Sequence, residues 1–135
     1  MKSKKIYIAV DLGAESGRVL AGEWDGLSLS LRVLHSFPNG PVDLNGSIHW
    51  NLVGIYNEIL TGLAIAQAEY GSSMESIGLD SWGLDFGHID KNGFLLGMPF
   101  HYRDERTYPM VELVHQRVNR EECFARTGIQ PLFIN

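Results

Sequence analysis

Three stretches of this 135-residue sequence hold side chains able to do chemistry. The first is Asp11-Leu12-Gly13-Ala14-Glu15-Ser16-Gly17-Arg18. Two glycines let backbone N–H groups approach an anion closely, and Ser16 adds a hydroxyl donor. Arg18 presents a planar fork that pairs with phosphate oxygens. Asp11, closing an apolar run, can hold Mg²⁺ through water. The same residues also suit a tight hairpin with a solvated arginine, and spacing alone leaves both readings open. The stretch is neither GxGxxG nor a Walker A loop, whose lysine it lacks.

The second stretch is Asp80-Ser81-Trp82-Gly83-Leu84-Asp85-Phe86-Gly87. In a regular strand Asp80 and Trp82 share one face and Asp85 takes the other, while a bulge at Gly83 would bring Asp85 round beside them. An indole, a carboxylate and bare backbone suit a sugar, which offers apolar C–H faces and hydroxyl donors. The alternative is a buried strand pair whose acids cap turns. Two acids in an apolar stretch cost stability unless satisfied, which favours a binding role. The third stretch, His101-Tyr102-Arg103-Asp104-Glu105-Arg106-Thr107, could close Tyr102 and Arg103 over a polyol. It reads more simply as a salt-bridged helix entry with Thr107 as cap.

The five histidines show no metal spacing, and Cys123 has no cysteine partner. His49 beside Trp50 reads as satisfied structure. Ser16, Ser47 and Ser81 lack a GxSxG elbow.

The elements that must position these residues follow from periodicity. Lys5–Asp11 reads as a strand buried on both faces. Arg18–Trp24 and Leu27–Phe37 flank Asp25-Gly26, a pair that favours a type I′ hairpin. Pro38-Asn39-Gly40-Pro41 ends the third strand. A helix runs from about Asn51 to Tyr70, with an apolar stripe of Leu52, Ile55, Tyr56, Ile59, Leu60 and Leu63, Asn51 as N-cap and Gly71 as stop. Ser76–Trp82 and Leu84–Ile89 read as strands, followed by an Asp90–Gly93 turn and a short apolar segment, Phe94–Pro99. Thr107 then caps a helix that buries Met110, Leu113, Val114 and Val118. Asn119 with Glu122 opens a second short helix, which stops at Gly128. The fold class is α/β, a mixed sheet in β-β-β-α-β-β-α order with that short helix after it.

Composition removes several classes. Eleven Lys and Arg against sixteen Asp and Glu give a net charge of -5, which argues against a nucleic-acid surface. No apolar run approaches the ~20 residues of a membrane span. The start MKSKKIYIAV reads as a strand rather than a leader. One cysteine suits a reducing, cytoplasmic setting. Length alone fits one ordinary domain. The apolar tail Ile129–Asn135 reads instead as a cut through a larger structure, or as a docked segment.

Taken in order and spacing, AVDLGAESGRV, IHWN, SIGLDSWGLDFG, HYRDERT and RTGIQ resemble the N-terminal part of the rhamnulokinase group of FGGY carbohydrate kinases, in the actin-like sugar-kinase superfamily. The resemblance runs from Ile8 to the last residues. It implies RNase H-like domains with ATP and sugar in the cleft between them, and residues 1–135 as an incomplete part of the first. The implied reaction is Mg²⁺-dependent transfer of the ATP γ-phosphate to L-rhamnulose, giving L-rhamnulose 1-phosphate. Ala14, Glu15, Ser16, Gly17 and Arg18 match the family's first phosphate loop, and Asp11 matches the acid near the metal. Gly83 matches a substrate-contacting glycine, a role extended here to Asp80, Trp82 and Asp85. Glu15 departs from the usual serine, and a carboxylate beside triphosphate repels it unless it turns to solvent or joins the metal shell. Asn51 replaces a commoner Asp, and both cap helices.

The family's catalytic base is an Asp of the second domain, so no residue of this chain is expected to be catalytic, and the adenosine pocket is also expected downstream. Phosphoryl transfer needs nucleophile, metal and phosphates positioned together, so this chain alone is expected to be inactive. Its uncovered apolar surface is expected to drive self-association. Three alternatives stand beside this reading: a kinase for another ketose or polyol such as L-fuculose or L-xylulose, a glycosidase using Asp80 and Asp85, and a non-catalytic module that binds a nucleotide or a partner.

Overall fold

The computed structural model describes residues 4–134, which divide into two compact units. The first unit combines the chain up to Gly40 with Asn51–Gly83. It contains β1 (Lys5–Leu12), β2 (Ser16–Trp24), β3 (Leu29–Pro38), helix α1 (Leu52–Tyr70) and β6 (Met74–Asp80). The sheet order is β3-β2-β1-β6, with β1 antiparallel to β2 and parallel to β6. A parallel neighbour needs a crossover, and α1 makes it.

β1 is buried on one face, not two. Ile6, Ile8 and Val10 are buried, while Lys5, Tyr7 and Ala9 are exposed. An unbroken apolar run does not by itself show that both faces are covered; here the helix covers one. Val19, Ala21 and Ala66 complete the core, with Ile59 and Leu63 packed against it.

Helix α1 begins and ends where the cap residues predict. Asn51 Oδ1 accepts from Gly54 N–H (3.1 Å), and Gly71 stops the helix at φ 52°. Its buried face coincides with half of the apolar stripe: Ile55 is buried and Ile59 and Leu63 pack on the core, while Leu52, Tyr56 and Leu60 are exposed. Gly62 and Ala66 complete the face. A Cβ on Gly62 would lie 2.3 Å from Val19 Cγ2, so helix and sheet meet where both residues are small. Two polar ties hold the helix on the sheet, His35 to Glu58 (2.6 Å) and Tyr70 Oη to Glu23 (2.9 Å).

The β2–β3 loop is not a type I′ turn, because only Gly26 has positive φ (99°) there. Asp25 builds the loop, accepting from the N–H groups of Leu27 and Ser28 at 2.8 Å. The type I′ signature lies at Asn45-Gly46, with φ of 57° and 86°. It joins β4 (Pro41–Leu44) to β5 (Ser47–Trp50) in a further, unexpected hairpin.

That hairpin and Leu84–Asn135 form the second unit. The predicted strand Leu84–Ile89 does not form; only an isolated bridge, Ile89 to Leu95, closes over the Asp90–Gly93 turn. Asp90 organises this turn by accepting from Asn92 (2.8 Å) and Phe94 (2.9 Å) N–H groups, so local turn chemistry replaces ladder pairing. Helix α2 (Tyr108–His115) ends before Val118, and its Met110, Leu113 and Val114 are exposed rather than buried. Thr107 does not cap it with its side chain; its hydroxyl donates to Asp104 C=O (3.1 Å). Helix α3 (Arg120–Thr127) opens on Asn119, which accepts from Glu121 N–H (2.7 Å), and stops at Gly128 with φ 70°. Glu122 pairs with Arg126 (2.9 Å), so no capping box closes. Among the described residues no helix is long and apolar enough to cross a membrane.

Candidate functional site

The β1–β2 hairpin carries the first candidate site. Gly13 N–H donates to Ser16 C=O (2.9 Å), which closes a short loop holding Ala14 and Glu15. Ala14 is half-buried, while Glu15, Ser16 and Arg18 are exposed. Asp11 and Arg18 are register partners across the hairpin and form an ion pair. On the other side of β1, Asp80 is the register partner of Asp11 in parallel β6. Opposed residues share a face of the sheet. Arg18, Asp11 and Asp80 therefore form one charged row across three strands, beside the loop.

Packing requires glycine at position 17. A Cβ there would sit 2.2 Å from the ring of Phe37, which is buried. Behind the loop stands Asn39, expected from its neighbours only as a turn residue. It is 1% exposed. Its N–H donates to Glu15 C=O (2.9 Å) and its Nδ2 to Gly13 C=O (2.6 Å). An asparagine just after a strand and before a glycine was the available signal, and it resembles any other turn.

β6 ends at Asp80, so Trp82 and Gly83 lie beyond the strand and no bulge forms at Gly83. The expected strand faces of Asp80, Trp82 and Asp85 therefore do not apply. Trp82 is half-buried and Gly83 is exposed. A Cβ on Gly83 would meet nothing within 4 Å, so the fold itself does not demand glycine there. Asp80, Trp82 and Gly83 belong to the first unit, Asp85 to the second.

In the second unit Asp85 accepts a hydrogen bond from the indole N–H of Trp50 (2.6 Å). The Trp50 ring lies 4.1 Å from that of His101, which in turn stacks on Tyr102 at 4.5 Å. His101 is buried, and its Nδ1 accepts from Arg103 N–H (3.1 Å). Burial pushes its pKa down, opposed by the charge of Asp85 and assisted by that of Arg103. Asp104, also buried, loses solvation. The N–H groups of Ile48 and Arg106, with the Arg106 charge, outweigh that loss and hold its carboxyl below the usual range. His49 donates from Nδ1 to Met98 C=O (3.0 Å), a structural role as expected. A cavity of about 600 Å³ in this unit is bordered by Asp85, Phe86, His88, Tyr102 and Arg106. No group of three metal-ligating side chains occurs among the described residues.

No protein-family model matches the chain. The chain is 39% identical to the rhamnulokinase of Bacteroides thetaiotaomicron over 132 residues, covering 98% of this chain and 27% of that protein. It is 41% identical to the rhamnulokinase of Pectobacterium atrosepticum, covering 97% of this chain and 27% of that protein. It thus spans about a quarter of the length of these relatives. Among solved structures, gluconate kinase from Lactobacillus acidophilus superposes with a TM-score of 0.78 at 14% identity, over 98% of this chain and 26% of that one. Xylulose kinase from Rhodospirillum rubrum gives 0.75 at 18% identity, over 95% and 26%. The ADP-bound glycerol kinase of Plasmodium falciparum gives 0.67 at 15% identity, over 98% and 27%. The fold is that of the matched quarter of these sugar kinases, and over the same share the sequence is similar to rhamnulokinases.

Proposed function

We propose that this rhamnulokinase-like chain forms part of the first domain of an ATP-dependent sugar kinase, supplying the first phosphate loop and one side of the sugar site. The whole enzyme transfers the γ-phosphate of ATP to L-rhamnulose, giving L-rhamnulose 1-phosphate. What carries this reading is 39–41% identity to rhamnulokinases over nearly the whole chain.

The residues fit the roles. Ala14, Glu15, Ser16 and Gly17 offer backbone N–H groups, and Arg18 offers a guanidinium, to the ATP phosphates. Asp11 stands one strand away as the acid for a hydrated Mg²⁺, which when bound neutralises phosphate charge. At rest Arg18 and Asp11 neutralise each other. With nucleotide present both change partner, Arg18 to phosphate and Asp11 to the metal's water shell. Both side chains are partly solvated, at 48% and 39% exposure, so the exchange costs little desolvation. Glu15 is exposed, which lets its carboxylate stay in solvent and away from the triphosphate.

For the sugar, we assign Gly83 as bare backbone, Trp82 as an apolar platform and Asp80 as a hydroxyl acceptor. The catalytic base belongs to a second domain outside this chain. The enzyme works in the cytoplasm, where Cys123 stays reduced.

A ketose panel tests the assignment. Full-length protein is assayed for ADP release with L-rhamnulose, L-fuculose and L-xylulose. L-Rhamnulose is expected to give the highest kcat/KM. A higher value for another ketose would reassign the substrate, and no turnover with any ketose would remove the kinase reading.

A further inference from the structure

We propose that Asn39 is a positioning residue that holds the 13–16 loop in its anion-binding form, an inference that rests on the phosphate-loop reading above. Asn39 takes hold of the loop at two carbonyls, Gly13 through its side chain and Glu15 through its backbone. A trans peptide points its C=O and the following N–H in opposite directions. Fixing Gly13 C=O and Glu15 C=O on Asn39 therefore turns the N–H groups of Ala14 and Ser16 away from it. The loop's donors are aimed before any anion arrives, and no further ordering of these two peptides is needed on binding.

The choice of residue supports a role beyond packing. Asn39 is 1% exposed, and its Oδ1 has no hydrogen-bond partner among the described residues. A buried unpaired acceptor is unfavourable, and an apolar residue would avoid it. What only the amide supplies here is a donor that reaches Gly13 C=O.

The test uses full-length protein and compares Asn39→Ala, Asn39→Ser and Arg18→Ala. KM is measured separately for ATP and for the sugar, and hydrogen exchange is followed at the Ala14 and Ser16 amides. Asn39→Ala is expected to raise KM for ATP about tenfold. It should also speed exchange at the Ala14 amide, with Ser16 less affected because the backbone bond to Glu15 C=O remains, and leave KM for the sugar within about twofold. Asn39→Ser likewise keeps the backbone bond and loses the amide donor, and it gives the same readout should Asn39→Ala prove too unstable to purify. An unchanged KM for ATP in the Asn39 variants, with a raised one in Arg18→Ala, would overturn the role of Asn39 and leave the phosphate loop standing. Equal losses toward ATP and sugar would also overturn it, since they mark a structural effect alone. If neither Asn39 nor Arg18 variants change KM for ATP, the phosphate-loop reading itself fails.

Discussion

Arg18 closes an ion pair on Asp11, its register partner across the β1–β2 hairpin, and Asp80 faces Asp11 from the parallel strand β6. The resting charges on this row are thus one positive and two negative. Removing the Asp11 charge should leave Arg18 free for phosphate while weakening the metal. In full-length protein we predict that Asp11→Asn raises the Mg²⁺ concentration for half-maximal activity by roughly 10–100-fold, the usual effect of losing an outer-shell ligand. A titration of activity against Mg²⁺ at saturating ATP checks this.

Two glycines should respond in opposite ways. Gly17→Ala drives a methyl group into the buried Phe37 ring and should destabilise the fold by about 1–3 kcal/mol, read as a lower denaturant midpoint. Gly83→Ala meets open space and should leave that midpoint unchanged while raising KM for the sugar. If Gly83→Ala destabilises the chain and spares the sugar KM, the substrate role of Gly83 is wrong.

Trp50→Phe keeps the aromatic stack on His101 and deletes the N–H that Asp85 accepts. Leaving that partly buried carboxylate short of a donor should cost about 1–3 kcal/mol, measured by chemical unfolding.

His101 gives a pH dependence with a definite sign. Burial lowers its pKa from the ordinary 6.5, so between the lowered value and 6.5 the unfolded chain binds more protons. Stability is therefore full above about pH 6.5 and falls as pH drops through that window. Asp104, whose carboxyl is held below 3.8, contributes a separate loss only in stronger acid. Thermal unfolding between pH 7.5 and 5 should show the first loss, and His101→Phe should remove its pH dependence there.

Ile77 and Leu79 on the edge strand β6 are 57% and 62% exposed. An apolar strand edge is a pairing surface. The 135-residue chain alone should therefore self-associate with rising concentration in light scattering, and Ile77→Lys should reduce it.

How much was legible beforehand depended on whether the signal was local. Asn51 and Gly71 marked the ends of α1 because caps satisfy the helix's own backbone groups. The buried face of α1 was legible only in part: Ile55, Ile59 and Leu63 of the stripe face the core, but the small residues Gly62 and Ala66 complete that face, and an apolar stripe weights only large ones. The strand expected at Leu84–Ile89 had the right composition, but a strand needs a neighbour, and Asp90 folds the chain back on itself first. The site divides in the same way. Asp11, Arg18 and the loop between them were visible as residue types in order. Their pairing with each other, and the hold of Asn39 from 26 positions away, came only from the register of three strands. Asp80, Trp82 and Gly83 stood out as residue types, while the strand faces assigned to them were lost when β6 ended at Asp80.

Phosphoryl transfer from ATP to a ketose is tested most directly by following the phosphate. Full-length protein is incubated with γ-labelled ATP, Mg²⁺ and L-rhamnulose, and the label is traced. Label is expected on the sugar, with one sugar phosphate formed per ADP. Label recovered only as inorganic phosphate, or unconsumed ATP beside unchanged sugar, would contradict it.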